Sequence, residues 1–330
     1  MNEFVDPFER MLETIAAPSQ VRAIERGGDT AAMWDIFVAS GFLDALVAPD
    51  RGGGGLTLAE VHPLWEALGR YAVPLPIGET MIARHFLTAA GAIVPEGPLA
   101  IGTVERDGAF LIPSGLVATH ILVDAAGTLH LVDASREQVG ATGVPGSLAA
   151  RPSWRGIPGD SIGTIAAGGL RAICALLRAS LISGAAGRLI EMTVAFANER
   201  VQFGKPIGRQ QAVQQNLAMM AEDVVAARIA SQLGCAGGLS PPLAAAATAK
   251  AVTSAAAARI AATAHAIHGA IGISEEHDLQ LYSRRLHEWR LADGSETYWN
   301  RKLGVERLAV SAGSVDFVRS SLAVASATGG

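Results

Sequence analysis

Residues 243–268 constrain this chain more than any other stretch. They are dominated by alanine, and Lys250 and Arg259 are nearly the only charges. Alanine is the strongest helix former, and a helix with so little polar surface has no side suited to water. The run therefore predicts a deeply packed helix inside a bundle, close to a subunit interface. The rest of the composition agrees: of 330 residues, 50% are hydrophobic and only 17% charged. Such a chain can bury a large core, which excludes disorder, and its length allows two or three domains.

Other helical patterns surround that run. Leu170, Ile173, Leu177, Leu181, Gly184, Ile190 and Val194 keep to one face of a long helix. Val213, Leu217, Met220 and Val224 mark a second. The run at 243–268 is the third, 278–291 a fourth, and a fifth starts near 296. Four or five such helices make a bundle. At the other end, Trp34, Phe37, Gly41, Phe42 and Leu46 form an amphipathic stretch ending near Pro49. After the turn Asp50-Arg51-Gly52-Gly53-Gly54-Gly55, a helix carries Val61, Leu64 and Leu68, until Val73-Pro74-Leu75-Pro76 breaks the pattern. Between these helical regions lie short apolar runs, 121–123 and 129–132, separated by turn residues around Asp124–Gly127. Glycine and proline cluster at 140–169 and read as a linker or loose edge. The expected fold is mainly α with a small β middle domain: helices over 1–100, the β domain over 101–165 and a helical bundle over 166–330.

Several function classes are excluded. The net charge is −5 and no basic run stands out, which argues against nucleic acid. Cys174 and Cys235 make neither a metal spacing nor a disulfide framework, as expected in a reducing cytoplasm. The N-terminus has acids early and no apolar signal core. No uninterrupted apolar stretch reaches ~18 residues, so no membrane span is expected.

Two segments carry chemistry. The first is Arg200-Val201-Gln202-Phe203-Gly204-Lys205-Pro206-Ile207-Gly208, followed by Gln210 and Gln211. On its residues alone it reads as a capped interhelical loop, with Pro206 stopping the helix and Arg200 favouring its C-terminal end. The second is His268-Gly269-Ala270-Ile271-Gly272, followed by Glu275, Glu276, His277 and Asp278. Its small residues permit close backbone approach to a ligand or a neighbouring helix. Its histidines lack the compact spacing of a metal site, and none is expected.

Taken in order along the chain, these segments resemble the acyl-CoA dehydrogenase family. The Arg200–Gly208 segment with Gln211 is similar to the family's most specific signature, and His268-Gly269 with Glu276-His277-Asp278 to its C-terminal flavin segment. Trp34, Gly41, Pro49, Gly52–Gly55 and Glu66-x-Leu68-Gly69-Arg70 are similar to its N-terminal helical domain. The resemblance implies N-terminal helices, a β domain and a C-terminal bundle, with FAD as cofactor. It implies oxidation of an acyl-CoA thioester to the 2,3-enoyl-CoA, as in fatty acid β-oxidation, with electrons passed to an electron-transfer flavoprotein. Arg200, Gln202, Phe203 and Gln211 would hold the adenosine-diphosphate half of a neighbouring subunit's flavin. Ala266, His268, Gly269, Ala270, Ser295, Glu296 and Thr297 would line the cofactor.

The chain departs from the family pattern in three places. The usual Thr-Glu-Pro…Gly-Ser-Asp segment is not found in the short middle region. Ala266 and Ala270 replace a glutamine and a glycine. The family's catalytic Glu-Gly-Thr falls on Asp293-Gly294-Ser295, with Glu296 as a backup base. The alternative family position for the glutamate falls on Cys174. Asp293 is open to two readings: the base that takes the α-proton, or an N-cap for the helix that follows. The chain itself is open to two as well: an FAD-dependent acyl-CoA dehydrogenase, or a non-catalytic subunit completing the flavin site of a larger acyl-CoA dehydrogenase. Either way a homo- or hetero-oligomer is expected.

Overall fold

A computed structural model describes residues 4–104, 110–166 and 168–322. Five helices come first: α1 (Val5–Ile15), α2 (Pro18–Glu25), α3 (Ala31–Ser40), α4 (Leu58–Arg70) and α5 (Ile77–Ala89). The glycine run after Pro49 lets the chain turn into α4. There Thr57 and Glu60 form a reciprocal capping box, Thr57 N donating to Glu60 Oε2 (2.8 Å) and Glu60 N to Thr57 Oγ1 (3.3 Å).

The middle region holds β1 (Leu99–Val104), β2 (His120–Ala125), β3 (Thr128–Asp133), β4 (Val139–Ala141), β5 (Ala150–Pro152) and β6 (Asp160–Thr164). One sheet runs β1-β2-β3-β6, with β1 and β2 parallel and the other pairs antiparallel. Ala126 (φ 52°) and Gly127 (φ 95°) make the tight β2–β3 turn, and Asp124 Oδ1 accepts from Gly127 N at 2.7 Å. Side chains alternate across β2: Ile121 and Val123 join a small core behind the sheet, while Leu122 faces the main helical core. Residues 140–169 are therefore not a simple linker. They contribute β5, β6 and part of β4, because pairing with strands elsewhere in the chain supplies what their own pattern lacks.

The second helical region begins with α6 (Gly169–Glu199) and a hairpin of β7 (Val201–Gln202) and β8 (Lys205–Pro206). It continues with α7 (Gln211–Gly234), α8 (Leu243–His268), α9 (Leu279–Leu291), α10 (Glu296–Ala309) and α11 (Ser314–Leu322). α6 is long and apolar enough to cross a membrane by length and composition, more than the sequence reading allowed. Its most apolar window is 83% buried in the bundle, as in a core helix. α4 and α6 cross in backbone contact. A Cβ on Gly69 would lie 2.1 Å from the Leu181 carbonyl oxygen, and one on Gly184 would lie 1.8 Å from that of Glu66. The alanine-rich α8 lies against α6, α7, α9 and α10, as its composition required. Charges fasten the first helices to the bundle: Arg22 pairs with Asp278, and buried Glu25 takes Arg284 (2.6 Å) and Arg285 (3.0 Å).

Candidate functional site

The loop between α9 and α10 carries Asp293-Gly294-Ser295, and buried polar groups hold it from two sides. Asp293 (φ 56°) and Gly294 (φ 100°) both adopt left-handed backbone. A Cβ on Gly294 would lie 2.5 Å from the Tyr298 ring, so glycine is required there. Trp299 Nε1 donates to the Asp293 carbonyl at 3.0 Å. Lys250, fully buried on α8, donates to the carbonyls of Arg290 (2.8 Å) and Gly294 (2.9 Å) and to Ser254 Oγ (2.9 Å). Burial pulls the Lys250 ammonium down to about 7.

The Asp293 carboxylate points at Arg178 of α6. Arg178 Nε donates to Asp293 Oδ2 at 3.0 Å, and Nη1 to Glu79 Oε1 of α5 at 2.7 Å. All three side chains are at most 5% exposed. Burial works against the charge on Arg178, yet Glu79 and Asp293 hold its pKa above the ordinary arginine value. Arg178 Nη2 has no hydrogen-bond partner among the described residues. One turn earlier, Cys174 is fully buried, and burial raises its thiol well above the usual range.

The cap reading of Asp293 is corrected here. Ser295 stands at the N-cap of α10, without a side-chain capping bond, and the carboxylate two residues before it is turned into the Arg178 pair. Glu296 is also engaged. It accepts from Arg290 Nε at 3.0 Å and from Nη2, and the hydrogen bonds to Arg290 hold its carboxyl below the usual range. Thr297 is exposed on the first turn of α10.

Asp293 and Gly294 also border a cleft of about 600 Å³ between the middle region and α9. Its walls are mostly apolar, with Phe110 and Leu111 on one side and Leu291 on the other. His287 and Arg171 add polar character. Arg171 is tied to the end of β1 through Thr103 Oγ1 and O, both at 3.1 Å.

The Arg200 segment is built quite differently. α6 ends at Glu199, so Pro206 does not stop it. Instead 201–206 forms a hairpin turning through Phe203 (φ 52°) and Gly204 (φ 75°). Ile207 N donates to the Arg200 carbonyl at 2.8 Å and closes the turn. Phe203 is 94% exposed at the tip. Arg200, Gln202 and Gln211 are exposed, and no ion pair or side-chain hydrogen bond to another described residue engages Arg200. Gln211 opens α7, whose first N–H groups have no partner within the helix. A free planar cation, a helix N-terminus and a bare aromatic ring fit a dianionic group attached to a flat one. The adenosine-diphosphate half of FAD is such a group.

The second sequence motif packs beneath the first. The His268 ring stacks on Phe196, one turn before Arg200, at 4.4 Å. Its Nδ1 donates to the Ala264 carbonyl at 2.8 Å, and burial holds its pKa below the usual value. Ala266, Gly269 and Ala270 are exposed beside it, and Gly269 (φ 62°) ends α8. Among the described residues, no group of three or more His, Cys, Asp or Glu side chains could hold a metal.

Of the residues that the sequence groups together, Arg200, Gln202 and Phe203 lie on the hairpin turn and Gln211 opens the helix that follows it. The sequence reading missed Arg178, Glu79 and Lys250. The available signal was the isolation of Arg178 and Lys250 in otherwise apolar helices.

Comparison with known proteins is consistent with this architecture. Residues 175–309 match the model of the acyl-CoA dehydrogenase C-terminal domain. Acyl-CoA dehydrogenase IpdE2 of Mycolicibacterium smegmatis is 34% identical over 285 residues, covering 84% of this chain and 89% of that protein. Among solved structures, the ChsE4–ChsE5 complex from Mycobacterium tuberculosis contains a similar chain. It has a TM-score of 0.78 at 21% identity, over 93% of this chain and 96% of that one. A Tcur3481–Tcur3483 steroid ACAD variant follows at 0.77 and 22% identity, over 92% and 97%. The two structures share the fold, and the IpdE2 match over 84% of this chain establishes that the chain belongs to the acyl-CoA dehydrogenase family.

Proposed function

We propose that this chain is the non-catalytic subunit of a heteromeric, FAD-dependent acyl-CoA dehydrogenase. It would complete the flavin site of a larger family member that carries the catalytic base. The carrying observation is that Asp293, the carboxylate at the base position, is paired with buried Arg178, while Arg200 stands exposed with no ion-pair partner among the described residues. A general base must present a free carboxylate oxygen to the substrate proton, whereas the buried Asp293 carboxylate is bonded to Arg178 at 3.0 Å in a pair that Arg178 shares with Glu79. The complexes named above pair two chains, ChsE4 with ChsE5 and Tcur3481 with Tcur3483, which supports a heteromeric reading.

In such an assembly Arg200 would pair with the flavin diphosphate through its planar fork. Phe203 would cover the adenine side and Gln211 would donate to the nucleotide. FAD held there would supply the hydride acceptor for the substrate's β-hydrogen in forming the 2,3-enoyl-CoA, with an electron-transfer flavoprotein as the onward electron acceptor. The two buried, unbridged cysteines suit a reducing cytoplasm.

One observation favours the second reading, catalysis in this chain's own site. Asp293 and Gly294 border a cleft large enough for an acyl group. Flavin stoichiometry separates the two. The chain purified alone should carry no flavin absorbance, and co-purification with a longer acyl-CoA dehydrogenase should give one FAD per pair of chains. A fully flavinated chain on its own, bleached by an acyl-CoA, would establish the second reading instead.

A further inference from the structure

Resting on the subunit reading, in which Asp293 is a carboxylate out of use, we infer that Lys250 is the positioning residue of a latch. Through the Gly294 carbonyl it holds the 292–295 loop so that the Asp293 side chain stays in the Arg178 pair and out of the cleft. Asp293 stands between two environments. Arg178 Nε donates to its carboxylate on the inner side, and on the other side Asp293 and Gly294 together form part of the cleft wall. The path of the loop decides which side the carboxylate faces.

That path is not one the backbone keeps unaided. Asp293 and Gly294 are consecutive left-handed residues, and a residue with a side chain stays in that region only where its surroundings over-determine it. Three donors from three helices do so. Arg178 Nε of α6 takes the Asp293 carboxylate, Trp299 Nε1 of α10 takes the Asp293 carbonyl, and Lys250 Nζ of α8 takes the Gly294 carbonyl. Together they fix the side chain and both carbonyls of the turn.

The bonding of Lys250 sets it apart from an ordinary buried ion pair. An ammonium inside a protein must be paired or well bonded, yet its three acceptors are neutral oxygens: Ser254 Oγ one turn along α8, the Arg290 carbonyl and the Gly294 carbonyl. The nearby acids are engaged by other cations, Asp293 by Arg178 and Glu296 by Arg290. Two of the three arms of Lys250 thus go to backbone on either side of Asp293. The Arg290 carbonyl belongs to the last turn of α9, where carbonyls lack partners within the helix and a cation is favoured. Lys250 therefore ties the end of α9 to the loop at a set spacing. Without it the left-handed pair loses one of its three supports. The open space beside the loop is the cleft, and Asp293 turns toward it.

The test is carboxyl labelling of the full chain with a water-soluble carbodiimide and glycine ethyl ester at mildly acidic pH, read residue by residue by mass spectrometry. Glu79 is the internal reference, because it shares Arg178 with Asp293 but lies on α5, away from the loop. In the wild type both carboxylates should label slowly. In Lys250→Met, Asp293 should label at least about tenfold faster, as when 1.4 kcal/mol is taken from the closed state, while Glu79 stays protected. Ser254→Ala removes the one acceptor of Lys250 that lies on its own helix, and should label as the wild type does. Lys250→Gln keeps two N–H donors on a shorter arm and should fall between; it also carries the comparison if Lys250→Met does not fold. Asp293 labelling as slowly in the folded Lys250 variants as in the wild type would overturn the latch and leave the subunit reading in place. A parallel rise at Asp293 and Glu79 would also overturn it, since that is a loosened core and not a released loop. Rapid labelling of Asp293 in the wild type would overturn the latch together with the observation that carries the subunit reading. Flavin on the isolated chain, with labelling as expected, would sink the subunit reading and leave the latch standing.

Discussion

Arg178 and Arg200 lie on one helix and at its end, and they do opposite things. Arg178 is 1% exposed and bonded to two carboxylates from different parts of the chain. Arg200 is exposed, with no ion-pair partner among the described residues, on the same turn as a bare phenylalanine ring. A buried guanidinium is tolerable only with its counter-charges in place, so Arg178 is committed to holding α5, α6 and the 293–295 loop together. Arg200 carries no such commitment and is available to a ligand. The difference teaches that the carboxylate we propose for the reaction position is committed to an internal ion pair, while the turn we propose as the nucleotide holder remains open to another molecule.

The comparison breaks most severely at Arg178. Arg178→Met removes the cation and leaves Glu79 and Asp293 buried together without compensation. Loss of one partner from a buried pair costs about 3–5 kcal/mol, so denaturant unfolding should show a loss of that order. A loss below about 1 kcal/mol would mean the pair is solvated and Asp293 is free.

Asp293→Asn is the next largest. Arg178 keeps Glu79 but loses a charge-assisted bond, a loss of roughly 1.5–3 kcal/mol. Flavin reduction by acyl-CoA in the assembled heteromer should stay within about threefold of wild type. If Asp293 were the base, stopped-flow bleaching would fall by well over ~10²-fold, and the contrast between the two arginines would lose its functional meaning.

Arg200→Ala tests the other side. Stability of the isolated chain should move by no more than about 0.5 kcal/mol, as for other surface changes. Flavin bound per assembly, read at its visible absorbance, should weaken about tenfold, a 1.4 kcal/mol effect. Arg200→Lys should recover only part, because a point charge does not replace the fork. Unchanged flavin affinity would reduce Arg200 to a loop residue.

The same contrast explains what was legible in the sequence. The Arg200–Gln211 turn is local, so its parts stand together in the chain as they do in space. α8 was legible over Leu243–His268 because composition alone demanded a buried helix, and α9 and α10 followed from periodicity. The ion-paired centre was not legible, since Arg178 meets Glu79 across 99 residues and Asp293 across 115. No local pattern marks such a meeting. β6 and the β7–β8 hairpin were missed for a related reason. Asp160–Thr164 has no alternating apolar face and becomes a strand by pairing with β3, while β7 and β8 are two residues each. Asp293 was read as base or cap because each is a local role, whereas its partner lies on another helix.

The smallest expected effect concerns Lys250, the second cation of the buried centre. Its folded pKa, about 7, lies below the ordinary lysine value of 10.5. Between those values the unfolded chain binds more protons than the folded one, so this group makes stability rise with pH. Below 7 both states are charged, the slope from this group vanishes, and the cost of burying an ammonium is felt in full. The rise is at most about 1.4 kcal/mol per pH unit, and the ammonium's three acceptors offset part of it. Lys250→Met keeps a flexible side chain of similar length and removes the titration. It also strands the Arg290 and Gly294 carbonyls, so the informative quantity is the change with pH rather than the stability at any one pH. Unfolding free energies measured from pH 6 to pH 9 should climb more steeply for the wild type than for Lys250→Met, and Arg200→Ala should track the wild type throughout. Parallel curves for wild type and Lys250→Met would show that Lys250 stays protonated across the range, and that the buried centre is wetter than the contrast with Arg200 requires.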